Sequence, residues 1–347
     1  MDAVLYNGKV VTVDARFTIA EAVAVTRDRI EAVGSSAEML SLAGSDTRRI
    51  DLEGRTVLPG LIDAHLHPTT ASTSELFEEI PDVRTLDDLL AYIEARAAEK
   101  EKDTWIVHPK FFPTRIVEMR QPTLQELDRV APEHPVFLNG SYGGMINSRA
   151  IRICGIEELS EHPGILRDGA TGEPTGLIRA SAFPLVTRHL PRRELSYERE
   201  LVYEDADAMT YVLGPRRARW FLPLRSMLDA GMILNGGSDH MVKLDSHTSI
   251  NPYNPFLGMW IAITRTTERG SVIRPDEALT REEALRMYTI DNAYGTFEED
   301  VKGSIEPGKL ADMIVISEDY LTCPVDAIRT IRVEKTIVGG KVVYERR

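Results

Sequence analysis

The feature that most constrains this chain is an apolar segment that ends in two closely spaced histidines. Residues 58–68 read Leu-Pro-Gly-Leu-Ile-Asp-Ala-His-Leu-His-Pro, so one residue separates His65 from His67. In a β-strand, residues i and i+2 point to the same side, which would bring both imidazoles to one point at the carboxyl end of the strand. The pattern predicts a strand end that supplies two metal ligands, although His-x-His also arises by chance.

A second apolar segment ends in a polar cluster. Residues 231–240 read Gly-Met-Ile-Leu-Asn-Gly-Gly-Ser-Asp-His, which predicts another strand with Asp239 at its end. A carboxylate there could bind a metal and take a proton from water, but Ser-Asp after a strand is also a common helix N-cap. The residues alone leave both readings of Asp239 open. His240 could orient Asp239 or a substrate, or could be an ordinary surface histidine.

Composition narrows the class of protein. The chain has 347 residues, 43% of them hydrophobic, so a substantial core is expected. A formal net charge of −13 argues against nucleic-acid and membrane partners and leaves a small-molecule substrate. The only two cysteines, Cys154 and Cys323, are far apart and in unrelated contexts, which argues against a disulfide framework or a Cys-based zinc site. No signal sequence or membrane-length apolar run is visible, so we expect a cytoplasmic protein.

Both ends of the chain predict β-strands, and both carry a turn dipeptide before a β-branched run. Asn7-Gly8 and Gly339-Gly340 each predict a tight hairpin. Neither end has enough strands for a stable sheet, so we expect one small β-sandwich domain from residues 1–58 and 305–347. A separate N-terminal domain is the alternative. The predicted strands lie within Ala3–Val13, Glu21–Gly34, Arg49–Val57, Ala311–Ser317, Ile328–Val333 and Thr336–Glu345.

The middle of the chain predicts amphipathic helices. Thr85, Thr123 and Thr280 each precede an acidic residue by three positions, which is typical of a helix N-terminus. Two apolar stripes follow at helical spacing and predict core packing. Residues 164–176 are rich in glycine and predict a loop. The stripes comprise Leu86, Leu89, Leu90 and Ile93 in one helix, and Ala284, Leu285, Tyr288 and Ala293 in the other.

These segments together resemble the amidohydrolase superfamily, and in particular its family 3 branch, which contains N-substituted formamide deformylase. The resemblance covers nearly all of the chain and includes an extra segment that this branch carries after its first barrel strand. Arg265 and the helix around Tyr288 match as well. Besides residues 58–68 and 231–240, the matching segments are Asn147–Ala150, Gly172–Leu177, Glu306–Asp312 and Thr336–Gly340.

The resemblance implies an α/β fold and a metal centre. The fold would be a (β/α)8 TIM-type barrel over residues 59–304, with 74–205 as the inserted segment. His65 and His67 would be metal ligands from the first strand, and Asp239 would be both a ligand and the catalytic proton shuttle. His240, Arg265 and Tyr142 would lie at the substrate or behind the ligands. The cofactor would be a divalent metal, with zinc favoured, as one or two ions.

The pattern breaks in the middle of the chain. The family's middle-strand lysine and two later histidines have no convincing match, and Tyr142 stands where a histidine is usual. Six βα units need roughly 180 residues at about 30 each, but residues 74–205 match the insertion instead. We therefore expect a barrel that lacks its middle strands, with a deletion near Ala208–Tyr211. Its open edges would need a cover or a second copy of the chain.

Three functions follow from these features. The first is a metal-dependent hydrolase of non-peptide carbon–nitrogen bonds in amides, formamides or cyclic amides, with a metal-activated water. The second is an inactive remnant or binding protein without a complete metal centre, favoured by the missing ligands. The third, a two-histidine, one-carboxylate iron site, fits the residue types but not the segments around them.

Overall fold

The structure is a computed structural model that describes residues 1–66, 80–140, 143–159, 161–190, 222–240, 252–267 and 270–346. The chain divides into two compact units, Met1–Pro68 with Tyr203–Arg347 and Thr69–Val202. In the described residues, no helix is long and apolar enough to cross a bilayer.

Among the described residues, ten strands lie in the first unit and five in the second. In chain order they are β1 (Ala3–Tyr6), β2 (Lys9–Val11), β3 (Ile19–Ala20), β4 (Ala22–Thr26), β5 (Arg29–Gly34), β6 (Arg48–Asp51), β7 (Thr56–Pro59), β8 (Ile106–His108), β9 (Val136–Asn139), β10 (Gly143–Ile146), β11 (Ile165–Arg167), β12 (Pro174–Arg179), β13 (Met313–Ile316), β14 (Val333–Val338) and β15 (Lys341–Glu345).

The α-helices are short, apart from two. They are α1 (Ser36–Ser41), α2 (Leu86–Glu99), α3 (Leu124–Val130), α4 (Ser148–Ile153), α5 (Phe183–Thr187), α6 (Leu224–Asp229), α7 (Pro255–Thr264), α8 (Arg281–Met287) and α9 (Ile290–Gly295). Turns of 3-10 helix occur at Pro113–Arg115, Ala180–Ala182, Pro275–Glu277 and Val325–Thr330.

Two sheets of the first unit share an apolar core. One has the order β5-β4-β1-β6 and the other the order β15-β14-β13-β7-β2-β3. In the second sheet, β7 from the N-terminal part pairs antiparallel with β13 from the C-terminal part. Leu5 and Val23 from the first sheet lie in one buried cluster with Val57 and Val315 from the second. The domain ranges predicted from the sequence, 1–58 with 305–347 for the β-sandwich and 59–304 for the barrel, stay predictions.

The strand β13 shows how the first unit is layered. Its four residues, Met-Ile-Val-Ile, are all buried, and alternate side chains of a strand point to opposite faces. Met313 and Val315 face the cluster between the two sheets. Ile314 and Ile316 belong to a second cluster, with residues of α7 and α8. A strand with two buried faces needs a continuous apolar run, which explains the sequence.

The second unit is one sheet of order β11-β12-β10-β9-β8 with apolar clusters on both faces. Only β8 and β9 are parallel among its neighbouring pairs of described strands. Val136 and Leu138 of β9 face the cluster that holds α2 and α3, and Phe137 faces the cluster that holds α4. The unit is therefore a sheet between two helical layers.

The predicted helix starts and stripes are confirmed. Thr85, Thr123 and Thr280 are the N-caps of α2, α3 and α8, and each forms a reciprocal capping box with the acid three residues on. Such a cap supplies partners for amide groups that the first turn leaves without one. The stripe residues of α2 and of the α8–α9 segment are buried, as expected.

The predicted strand at Ile328–Val333 is wrong. Residues Val325–Thr330 form a 3-10 helix, and β14 starts only at Val333. Ile328 and Ile331 are buried in the cluster of α7, and their spacing of three residues matches the 3-10 repeat. The β-branched run reflects burial there, not a strand.

Two predictions about turns are also wrong. The segment 164–176 is not a loop, because β11 and β12 pair antiparallel around the turn at residues 168–173. Asn7-Gly8 does not make a hairpin, because β1 pairs with β4 and β6 while β2 pairs with β3 and β7. That turn carries the chain from one sheet to the other. The hairpin at Gly339-Gly340 is confirmed by the pairing of β14 with β15.

The described strands form three sheets, and none of them closes into a barrel. The fold over these residues is α/β with mixed sheets. The eight-stranded barrel that the family resemblance implies is thus not found in this part of the chain.

Candidate functional site

The segment that carries His65 is not a strand up to the histidine. β7 ends at Pro59, and residues 60–66 have no regular secondary structure. The predicted strand at 231–240 is likewise absent, since residues 232–240 are irregular and Met232 and Ile233 are about half exposed. The backbone hydrogen bonds of the two runs are scattered, and neither run forms a strand ladder among the described residues. The prediction of two strand ends is wrong.

The two segments nevertheless run side by side. The N–H of Ala64 donates to the carbonyl of Gly236 at 3.0 Å, and the N–H of Asp239 donates to the carbonyl of His65 at 2.7 Å. These two hydrogen bonds place residue 65 next to residue 239, although 173 residues separate them in sequence. A few backbone contacts therefore hold the two segments side by side.

The side chains of His65 and Asp239 meet. Nε2 of His65 lies 3.1 Å from Oδ1 of Asp239. The carboxylate is 1% exposed, whereas the imidazole is 48% exposed. The pair thus has a buried acidic side and an open histidine side.

Close approach of the two segments depends on glycine. A Cβ on Gly237 would lie 2.8 Å from the backbone nitrogen of His65, and a Cβ on Gly236 would lie 2.8 Å from the ring of Tyr288. Atoms this close do not fit without a shift of the backbone. The Gly-Gly pair in the sequence is explained by this contact.

Asp239 itself has a left-handed backbone, with φ of +50°. Aspartate adopts this conformation more readily than most residues other than glycine. A backbone in this region costs free energy and persists where the surrounding contacts hold it, and here the carboxylate lies against His65.

Asp63 lies in the His65 segment and connects it to the Asp239 segment. Its Oδ1 accepts the N–H groups of His65 at 3.1 Å and of Ser238 at 3.0 Å, and its Oδ2 accepts the hydroxyl of Ser238 at 2.5 Å. Neither Asp63 nor Ser238 was predicted from the sequence to belong to the site. Both stand two or fewer residues from a predicted ligand, which is the signal that could have found them.

Asn292, in the first turn of α9, also connects the two segments through hydrogen bonds. Its Nδ2 donates to the carbonyls of Ile62 at 2.5 Å and Gly236 at 2.7 Å, and its Oδ1 accepts the N–H of Gly236 at 2.9 Å. The side chain is 1% exposed. It too was missed from the sequence. A polar residue next to Ala293 on a buried helix face was the available signal.

The other predicted site residues are placed as follows. His240 is 3% exposed and stacks edge-on against the ring of Tyr253, with centroids 4.9 Å apart. Arg265 is 5% exposed, and its guanidinium donates to the carbonyls of Ile273 and Leu222. Burial holds the pKa of Arg265 below its usual value, while nearby Glu277 acts in the opposite direction. His67 and Tyr142 lie outside the described residues.

The donor set fits a divalent metal in part. An imidazole nitrogen and a carboxylate oxygen are both zinc ligands with bonds of about 2 Å, so two such atoms 3.1 Å apart can bind one ion. Within the described ranges, no group of three or more His, Cys, Asp or Glu side chains could hold a metal. A third ligand would therefore come from a residue outside them, and His67 is two positions from His65.

Sequence comparison relates the chain to proteins from bacteria and plants. An N-substituted formamide deformylase from Arthrobacter pascens is 24% identical over an alignment of 542 positions, which covers 99% of this chain and 98% of that protein. Because this chain has 347 residues, many positions of that alignment hold no residue of this chain. Protein LONG AFTER FAR-RED 3 of Arabidopsis thaliana is 29% identical over 210 residues, 58% of this chain and 35% of that protein.

A solved structure and a family model are also similar to this chain. The crystal structure of an uncharacterized metal-dependent hydrolase from Pyrococcus furiosus is similar in fold, with a TM-score of 0.52 at 16% identity, over 92% of this chain and 100% of that chain. The model of the amidohydrolase family matches residues 48–210 and again 201–344. These matches include the segments of both His65 and Asp239 and cover most of the sequence, and the chain therefore belongs to the amidohydrolase family.

Proposed function

We propose that this protein is a metal-dependent hydrolase that cleaves a non-peptide carbon–nitrogen bond in an amide, a formamide or a cyclic amide. The observation that carries the proposal is the contact between His65 and Asp239, 3.1 Å apart and brought together from distant parts of the chain. In a member of the amidohydrolase family, such a pair supports the proposal of a metal site at this position. The relative named as a formamide deformylase points to the same bond type.

His65 and Asp239 would hold the metal together with His67. Their nitrogen and oxygen donors favour zinc among the common divalent ions. When bound, such an ion supplies Lewis acidity, which polarises a carbonyl group and lowers the pKa of a water molecule.

Side chains of the protein would transfer the proton and bind the substrate. Asp239 would accept the proton of the attacking water on its carboxylate and pass it to the leaving nitrogen, a general acid–base role that carboxylates can take. The open side of His65, 48% exposed, leaves room for a substrate to approach. His240, Arg265 and Tyr142 are proposed to shape the substrate side or to support the ligands.

We also propose that the catalytic part derives from a (β/α)8 barrel from which middle units are absent. Two findings support this. The alignment with the formamide deformylase is far longer than the chain while it covers nearly all of both proteins. The family model matches in two parts that meet at residues 201–210, close to the deletion expected from the sequence.

One observation favours a second function, a binding protein that descends from the family but does not catalyse. Only two metal-capable side chains, His65 and Asp239, meet at this place among the described residues. Catalytic zinc sites usually have three protein ligands and an open position. A site with two ligands would bind metal weakly.

A substrate screen separates the two functions. The zinc-loaded and manganese-loaded proteins are incubated with N-substituted formamides, simple amides and cyclic amides, and released amine is measured. Asp239→Asn serves as the inactive variant, because it keeps the shape but not the proton acceptor. Amine release that Asp239→Asn abolishes supports the hydrolase. No release from any class with fully loaded protein favours the binding protein.

A further inference from the structure

Asn292 occupies a special place relative to the two candidate ligands. The two NH hydrogens of its amide go to two different segments, one to the carbonyl of Ile62 and one to the carbonyl of Gly236. Ile62 stands three residues before His65, and Gly236 stands three residues before Asp239. One side chain thus fixes both segments at matching points upstream of the pair.

The amide oxygen of the same side chain completes the connection. It accepts the N–H of Gly236 at 2.9 Å and the Nδ2 of Asn235 at 3.2 Å. Asn292 therefore holds Gly236 through both its N–H and its carbonyl, as a neighbouring strand would. Since the described parts of both segments are irregular, this side chain supplies an alignment that a sheet would otherwise give.

Further backbone hydrogen bonds constrain the two segments between Asn292 and the His65–Asp239 pair. At the end of the preceding helix, the carbonyl of Tyr288 accepts the N–H of Ile62 at 2.8 Å, and the carbonyl of Met287 accepts the N–H of Gly236 at 2.9 Å. Beyond these points, the segments are joined by the bond from the N–H of Ala64 to the carbonyl of Gly236, by the bond from the N–H of Asp239 to the carbonyl of His65, and by the bonds of Ser238 to Asp63. A shift of one segment at Asn292 would pass directly to the distance between Nε2 of His65 and Oδ1 of Asp239.

We propose that Asn292 is a positioning residue, which sets the alignment of the His65 segment with the Asp239 segment and so gives the pair its capacity to bind a divalent cation. The proposal rests on the proposed function, because it treats this pair as the one that binds the metal. A purely structural asparagine would stabilise the fold to the same degree without any effect on the pair.

The chain offers a matched control for that difference. Asn147 is fully buried in the second unit and also makes four hydrogen bonds. Its Oδ1 accepts the N–H groups of Val136 and Ala150, and its Nδ2 donates to the carbonyls of Ala131 and His134. Asn147→Asp and Asn292→Asp remove the same two donors and replace them with an oxygen that repels the carbonyls.

The first measurement is amide hydrogen exchange on the metal-free proteins. We expect Asn292→Asp to lower the protection of the Ala64 and Asp239 amides by at least tenfold, while Asn147→Asp leaves both unchanged. Unchanged protection in Asn292→Asp, with the protein folded, overturns the proposal. If Asn292→Asp does not fold, Asn235→Ala removes one bond to the same amide and should lower the same two protections by a smaller factor. No change in Asn235→Ala would then overturn it.

The second measurement is the affinity for zinc, by competition with a chelator, and the absorption spectrum of the cobalt-substituted protein. We expect a 10- to 100-fold weaker affinity and an altered cobalt spectrum in Asn292→Asp only, in the range usual for residues that orient ligands. Equal affinity in Asn292→Asp and wild type overturns the positioning role. If wild type binds neither metal, the proposed function fails, whereas the exchange measurement still decides the alignment.

Discussion

Ser238 donates two hydrogen bonds to Asp63, from its N–H to Oδ1 at 3.0 Å and from its hydroxyl to Oδ2 at 2.5 Å. The same Oδ1 accepts the N–H of His65. One carboxylate therefore fixes the backbone at one candidate ligand and at the residue before the other. The same arrangement occurs in the second unit, where Asp128 accepts the N–H and the hydroxyl of Ser148 at 2.9 and 2.6 Å.

This parallel gives a first prediction. Asp63→Ala and Asp128→Ala should each lower the free energy of unfolding by about 1–3 kcal/mol, because each leaves the donors of one serine without their charged acceptor. Only Asp63→Ala should also weaken zinc binding, by roughly 10- to 100-fold. Urea unfolding and a chelator competition measure the two effects. Equal zinc affinity in both variants would contradict the role given to Asp63.

A second prediction concerns the contact between the segments. Gly237→Ala would place a Cβ 2.8 Å from the backbone nitrogen of His65, and overpacking of this kind costs about 1–3 kcal/mol. We expect lower thermal stability and weaker zinc binding. Gly169→Ala is the control, because a Cβ there meets nothing within 4 Å. A Gly237→Ala protein with wild-type zinc affinity would show that the segments have room to move apart.

A third prediction concerns Cys154. Burial raises the pKa of its thiol to about 11, so the reactive thiolate is scarce at pH 8 in the folded protein. We expect iodoacetamide to label Cys154 slowly in the native protein and rapidly in urea. Mass spectrometry of the labelled peptides measures both rates. Fast labelling of Cys154 under native conditions would mean that its surroundings open readily.

A fourth prediction concerns the pH dependence of the ion pair between Arg120 and Glu126. The hydrogen bond from Arg120 lowers the pKa of Glu126 from 4.5 to about 2. A lowered pKa adds stability above pH 4.5 that is lost as the pH falls toward 2. For a pair this exposed, the contribution is about 0.5–1 kcal/mol.

The variant Glu126→Gln isolates that pair, because glutamine can still accept the N–H of Thr123 in the capping box. Its free energy of unfolding should fall below that of wild type at pH 7, and the gap should narrow between pH 4.5 and 2. Urea unfolding at both ends of this range measures it. A gap of the same size at pH 7 and at pH 3 or below would assign the effect to something other than the ion pair.

Local sequence signals predicted local structure well. The three Thr-led helix starts and the buried stripes were correct because capping and helical periodicity are set by residues within one or two turns. The strand predicted at Ile328–Val333 was wrong, because this β-branched run packs as a 3-10 helix. The hairpin predicted at Asn7-Gly8 was wrong as well, because the strands on its two sides pair with other strands. Those outcomes depend on tertiary packing, which a short window does not contain.

The proximity of His65 and Asp239 agrees with the sequence analysis, while their role as a site stays a prediction and the residues that align them were not predicted. His65 and Asp239 do meet, yet the strands that were expected to carry them are absent among the described residues. Their alignment comes from Asp63, Ser238 and Asn292 instead. Asn292 is 227 residues from His65 in sequence, so no spacing rule connects the two. Its role follows only from the hydrogen bonds of the folded chain.

The most direct test of the central claim is the metal content of purified protein, by elemental analysis after exposure to zinc and removal of free metal. The proposed function predicts close to one or two zinc ions per chain in wild type and a marked loss in both His65→Ala and Asp239→Ala, with Asp128→Ala as the control that keeps its metal. No zinc in wild type, or the same content in all four proteins, would contradict a metal centre at His65 and Asp239.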